Sequence, residues 1–164
     1  MVSGHLATLI LERIRRIVLV GAGGLKATRK PTEPLRKLLP EMPAALLAAE
    51  ARRNLELLML RDPANVDGVA IYMQIMNTTR ARTRSRDMGI AGALSKVLPQ
   101  VKTPLAGIWG ELDSTTYPYI QERIDIFRRV QPDFQMHLIP GAGHWVAYEA
   151  AEAFNRKLIE VLAR

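Results

Sequence analysis

The sequence predicts an α/β domain built on a parallel sheet of about three strands. Three observations predict it. Short apolar runs at Ile17–Val20, Leu105–Trp109 and Phe134–Ile139 each close in a glycine-containing turn. The first, Ile17–Val20, is apolar without alternation, the pattern of a strand buried on both faces. Helix-spaced segments stand between them, and alternation of strand and helix at these lengths joins parallel strands by crossovers.

The chain opens on residues 3–12, small at first and then apolar with helical spacing. Small residues at a helix start predict a close neighbour. The β-branched run ending at Val20 passes into Gly21-Ala-Gly-Gly24. Glycines after a strand raise a dinucleotide-loop reading. The spacing is not G-x-G-x-x-G, however, and Pro31 and Pro34 stand where the phosphate-binding helix would start. A tight strand exit is the reading kept.

From Pro34 to about Gln100 the texture changes to Leu, Ala and Met. Helical segments are expected around Leu35, Leu38 and Leu39, from Ala44 through Leu60, and from Val66 through Met76. A break at Arg61-Asp-Pro-Ala-Asn65 is expected, with Asn65 or Asp62 capping the helix after it. Asp87 to Leu98 reads as one more helix. This stretch is too long for an ordinary crossover, so it reads as a helical insertion between two strands. Met59, Tyr72, Met73 and Met76 are candidates to line an apolar pocket, with internal helix packing the plainer account. Tyr117 to Val130 is amphipathic, with Ile120, Ile124 and Phe127 on one face, and Tyr148 to Leu162 closes the chain as a helix.

At 164 residues one domain with a core is expected. No apolar run reaches the roughly 18 residues of a membrane helix, and the first residues lack a basic leader and a small-residue cleavage site. No membrane partner is expected. Without cysteine these residues offer no disulfide, thiol nucleophile or Cys metal ligand, which fits a cytoplasmic setting. No cofactor is called for. The net charge of +7 raises a nucleic-acid hypothesis. Only Arg80, Arg82, Arg84 and Arg86 form a dense cluster. Their alternate spacing shares one face of a strand but scatters around a helix. With no recognition signature beside it, the cluster reads as a solvated basic surface.

Chemistry concentrates in the last third. Pro104-Leu-Ala-Gly-Ile-Trp-Gly-Glu-Leu-Asp113 and Ile139-Pro-Gly-Ala-Gly-His144-Trp145 each run from a strand into a turn that leaves an ionisable side chain at the strand's carboxyl end. Ligands of open α/β sheets bind beyond those ends. A histidine there takes and returns a proton near neutrality. A carboxylate that accepts its second ring N–H fixes its tautomer. Asp113 and His144 are therefore the candidate catalytic residues. His137, inside a strand, and His5, on the first helix, read as packing or surface residues.

In Ile108-Trp-Gly-Glu-Leu-Asp113, and in Gly141-Ala-Gly-His-Trp145 with Glu149-Ala-Ala-Glu-Ala-Phe-Asn155 shortly after it, the chain resembles the α/β-hydrolase family. The resemblance runs through essentially all of it. It implies a partial α/β-hydrolase fold over residues 1–164, with strands equivalent to the sixth to eighth and residues 31–100 as a helical cap. It assigns Asp113 the acid and His144 the base, with Glu111 the runner-up acid. The Trp after the His and the cap size are similar to carbon–carbon bond hydrolases of ring-cleavage products and related esterases, which implies a small apolar substrate.

The family's G-x-S-x-G elbow would precede the first helix. Val2-Ser3-Gly4 resembles its end, which puts the nucleophile at or before Met1 and Ser3 two positions too late. The expectation is a chain truncated before its nucleophile and inactive alone. The alternatives are one half of a split hydrolase, completed by another chain or self-associating at an exposed strand edge, and a non-catalytic basic binding module.

Overall fold

The computed structural model describes residues 2–83 and 89–163. Strands β1 (Ile17–Val20), β2 (Leu105–Gly110) and β3 (Gln135–Ile139) form one parallel sheet in that order. Ile17 lies opposite Leu105 and Val20 opposite Ile108; Ala106 lies opposite Gln135 and Gly110 opposite Ile139. Among the described residues the helices are α1 (Val2–Leu9), α2 (Ala44–Leu58), α3 (Gly68–Thr79), α4 (Ala93–Val97), α5 (Ile120–Val130), α6 (Val146–Glu149) and α7 (Ala151–Leu162).

Strands β1 and β2 pack on both faces, whereas β3 leaves Gln135 and Leu138 exposed. Ile17, Leu19, Leu105 and Trp109 pack with Ala7 of α1, Leu94 and Val97 of α4 and Phe127 of α5. The intervening Val18 and Ile108 pack on the other side with Val146 of α6 and Phe154 and Leu158 of α7. Strand geometry sends successive side chains to opposite faces, so both cores need apolar residues. The small start of α1 does have a close neighbour: a Cβ on Gly4 would sit 3.0 Å from Val97 Cγ1 and 3.3 Å from Leu94 Cδ1.

The inserted helices α2 and α3 form a third cluster through Leu55, Leu60, Val66 and Ala70, and Trp145 and Tyr148 pack against it. Leu35, Leu38 and Leu39 are not helical. Prolines at 31, 34, 40 and 43 interrupt that stretch and remove backbone donors. Buried Asn54 on α2 supplies the partners instead: its Oδ1 accepts from Arg36 N and its Nδ2 donates to Arg36 O, both at 2.8 Å. Neither Asn65 nor Asp62 caps α3. Asp62 caps only the short 3-10 turn Pro63–Asn65, and Asp67 accepts from Ala70 N at 2.8 Å to cap the helix.

Other boundaries shift for local reasons. The helix expected from Asp87 is regular at Ala93–Val97, after Gly92 at φ 71°; Asp87 and Met88 lie outside the described residues. Helix α5 starts after Pro118, because a proline disfavours helical geometry in the residue before it. Buried Arg123 and Phe127 and half-buried Ile120, Ile126 and Val130 form its packed face, and Ile124, though half-buried too, lies outside that core. The closing helix is split at Ala150, where φ is −130°. Among the described residues no helix is long and apolar enough to cross a membrane.

Candidate active site

Adjacent parallel strands β2 and β3 release their loops side by side. The two loops are stitched by backbone bonds: Glu111 N donates to Ile139 O at 3.0 Å and Leu112 N to Ala142 O at 2.9 Å. Gly110 makes this approach possible, since a Cβ there would overlap the carbonyl oxygens of Ala142 and Gly143. The result brings His144 Nδ1 to 2.8 Å from Asp113 Oδ2.

Asp113 is fully buried and His144 keeps 22% of its side chain exposed. A buried carboxylate needs partners on every side. Asp113 Oδ1 accepts from Thr115 N at 2.7 Å, and its carbonyl accepts from Thr116 N at 2.9 Å and Tyr117 N at 2.7 Å. The loop leading on to α5 is fastened by Arg123, itself 4% exposed, whose guanidinium donates to Thr115 O at 3.0 Å and Tyr119 O at 3.2 Å. Burial pushes that guanidinium below its ordinary value, and the charges of Glu122 and Asp113 oppose the shift. Arg123 escaped the sequence reading. Its signal was a place on the apolar stripe of α5, three residues after Ile120 and four before Phe127.

Gly21, expected from its spacing to be only a strand exit, backs the imidazole. It has φ 50°, and a Cβ on it would stand 3.1 Å from His144 Cε1 and 3.2 Å from Nδ1. The inserted helices reach both loops. Ser114 Oγ donates to Leu58 O at 2.6 Å, and Trp145 N donates to Met59 O at 2.8 Å. Glu149 accepts from Arg61 N at 2.7 Å, Asp62 N at 2.6 Å and Gly143 N.

The remaining candidates lie elsewhere. Glu111 Oε2 accepts from Gly141 N at 3.0 Å, holding the turn before His144. Ser3 and His5 are exposed on α1, and among the described residues no hydrogen bond joins Ser3 to His144. His137 lies in β3 opposite Ile108. Arg80 and Arg82 are exposed, while Arg84 and Arg86 lie outside the described residues. Among the described residues no group of three or more His, Asp or Glu side chains gathers as a metal ion requires.

A cavity of about 490 Å³ adjoins the pair, lined by Leu57, Leu58, Leu60, Leu112, Ser114, Tyr117 and Gly143, with Lys30, Glu33, Glu56 and Arg61 among its charged lining. Its volume is that of a small-molecule site. Of the expected pocket residues, Met59 packs in the helical insertion and Tyr72 and Met73 are exposed. A second cavity, about 440 Å³, opens at the amino ends of the strands beside Arg16, Pro104 and Gln135. Its lining includes no chain neighbour of Asp113 or His144, whereas Leu112, Ser114 and Gly143 line the first, and open parallel sheets bind ligands at the opposite end.

A three-stranded parallel sheet with helices on both faces and a helical insertion between β1 and β2 is a partial α/β-hydrolase fold. No family model matches the chain. It is 25% identical over 162 residues to a 2-hydroxy-6-oxo-6-phenylhexa-2,4-dienoate hydrolase of Burkholderia cepacia, covering 93% of this chain and 55% of that protein. It is 26% identical over 166 residues to a 2-hydroxy-6-oxononadienedioate/2-hydroxy-6-oxononatrienedioate hydrolase of a Pseudomonas species, covering 93% and 56%. A solved meta-cleavage product hydrolase from Pseudomonas fluorescens superposes with a TM-score of 0.67 at 20% identity, over 98% of this chain and 60% of that one. In fold and in sequence the chain is similar to hydrolases of the α/β-hydrolase fold. The chain spans little more than half the length of the curated relatives it matches.

Proposed function

We propose that these residues supply the base and the acid of a hydrolase that cleaves an ester or a carbon–carbon bond by a Ser-His-Asp mechanism. The observation that carries the reading is the 2.8 Å bond between His144 and a fully buried Asp113 at the ends of neighbouring strands. With Nδ1 held by Asp113, Nε2 is the nitrogen left to take the proton of a serine as its Oγ attacks a carbonyl. Asp113 then stabilises the imidazolium. The same proton passes to the departing oxygen of an ester, or to the departing carbon of a ketone.

The serine and the oxyanion donors come, in this reading, from sequence outside these residues, and residues 1–164 alone are inactive. Loss of the nucleophile from such a set costs on the order of 10^6 in rate. Residues 31–100 act as the cap, and the adjoining cavity takes a small apolar substrate, in keeping with its leucines. The cysteine-free chain suits a cytoplasmic enzyme. The second reading, a split enzyme completed by another chain, draws support from β1. It stands at the edge of the sheet, with Val20 exposed. Ile17 N bonds towards β2, at Pro104 O, so the backbone groups of Val18 and Val20 face away from it. A strand added there would pair with them.

The test is complementation. The chain is expressed alone, fused behind an amino-terminal hydrolase segment carrying G-x-S-x-G, and coexpressed with that segment, and hydrolysis of a p-nitrophenyl ester is followed. No turnover is expected alone, and turnover abolished by His144→Ala is expected in the fused form, the coexpressed form, or both. Hydrolysis by the chain alone that survives His144→Ala, or no hydrolysis from any completed form that folds, would overturn the reading.

A further inference from the structure

We propose that Glu149 is a positioning residue, a clamp by which the inserted helices hold the loop that carries His144; the proposal rests on the reading of His144 as the base. Both chain neighbours of His144 are tied to the segment just after α2. Trp145 N donates to Met59 O at 2.8 Å. Gly143 N donates to Glu149 Oε2, and Glu149 Oε1 accepts from Arg61 N at 2.7 Å and Asp62 N at 2.6 Å. One carboxylate thereby joins the segment between α2 and α3 to the residue before the imidazole.

The backbone is built for this approach. A Cβ on Gly143 would stand 2.8 Å from Arg61 N, 2.9 Å from Glu149 Oε2 and 3.1 Å from Met59 O. Arg61 and Asp62 lie between α2 and the turn Pro63–Asn65, where their amides need a partner from elsewhere in the chain. A carboxylate serves because both of its oxygens accept, whereas a carboxamide has one acceptor and one donor. A shift of α2 and α3 therefore pulls on Gly143 and Trp145 together, and through them on the ring that Asp113 holds from the other side.

The chemistry of that difference gives the test, Glu149→Gln in the full chain. The amide oxygen keeps the two bonds from Arg61 and Asp62 and turns the NH2 group against Gly143 N–H. Amide hydrogen exchange at Gly143 is expected to speed up roughly 10- to 100-fold, the size of one lost bond to a charged acceptor. Arg61, Asp62 and the core amide of Ile108 are expected to change less than about threefold, while the downfield Nδ1 proton of His144 broadens. Unchanged exchange at Gly143 overturns the proposal. Equal acceleration at Gly143 and Ile108 also overturns it, since that would mark general destabilisation. In the unaltered chain Gly143, Arg61 and Asp62 must exchange as one unit, and a tenfold spread in protection among them overturns it even where the variant does not fold. No readout needs turnover, so these results stand apart from the success or failure of the hydrolase reading.

Discussion

Gly110 and Gly143 meet backbone to backbone: a side chain on Gly110 has nowhere to go but into the carbonyl oxygen of Gly143. Carbonyl groups in a stitched loop move less readily than a side chain tip. Gly110→Ala is expected to cost about 3 kcal/mol, the upper part of the range for overpacking. In a domain of this size that is a fall in Tm of roughly 6–12 °C. Gly68→Ala, at the start of α3 with open space around its Cβ position and no positive φ, should instead leave Tm unchanged or raise it by a few degrees. Thermal unfolding of the two variants side by side checks the contrast. Equal melting temperatures would remove the claim that the two loops need contact at Gly110.

The sequence announced the pair and concealed its supports. Asp113 and His144 were legible because each ends an apolar strand in a short turn, and parallel neighbours bring such ends together. Gly21 acts on His144, 123 positions away, Glu149 reaches Arg61, 88 positions away, and Arg123 turns back onto the carbonyls of Thr115 and Tyr119, and the hydrophobic spacing marks none of those partners. Glycine spacing could dismiss a nucleotide loop at Gly21, but only the packing of β1 beside β2 shows the imidazole behind it. The helical reading around Leu35 failed for a different reason. Apolar spacing was present, but the prolines and the side chain of Asn54 gave the backbone a non-helical alternative.

Asp67 and Tyr148 make stability depend on pH at both extremes. Tyr148 Oη donates to Asp67 Oδ1 at 2.6 Å. That bond, and next the amide of Ala70, hold Asp67 below its ordinary value of 3.8. The same bond raises Tyr148 above its ordinary 10.0. Asp67 titrates lower in the folded chain than in the unfolded one, so its contribution is whole above pH 3.8 and is lost as pH falls through the folded value. Tyr148 titrates higher when folded, so its contribution is whole below pH 10.0 and is lost as pH rises through the folded value. Tyr148→Phe should therefore lower Tm most at neutral pH, with the gap to the unaltered chain closing in acid and in alkali. A gap that stays constant with pH would show that the bond contributes nothing in solution.

Asp113→Asn tests the acid with little change of volume. An asparagine can still accept from Thr115 N through its oxygen, as Asp113 Oδ1 does. Its NH2 group then faces His144 Nδ1, where the carboxylate oxygen stood at 2.8 Å. A donor there selects the tautomer with its proton on Nε2, and that nitrogen no longer has a lone pair to take a proton from serine. In the form completed with an amino-terminal segment, kcat is expected to fall about 10^4-fold, with KM little changed, because only the proton transfer is impaired. The chain should stay folded and lose its downfield Nδ1 proton signal. Glu111→Gln is the companion variant. Glu111 serves the Gly141 amide at 3.0 Å, and a glutamine oxygen can do the same, so activity should stay within a few-fold of the parent. Retained activity in Asp113→Asn together with loss in Glu111→Gln would move the acid from one side chain to the other.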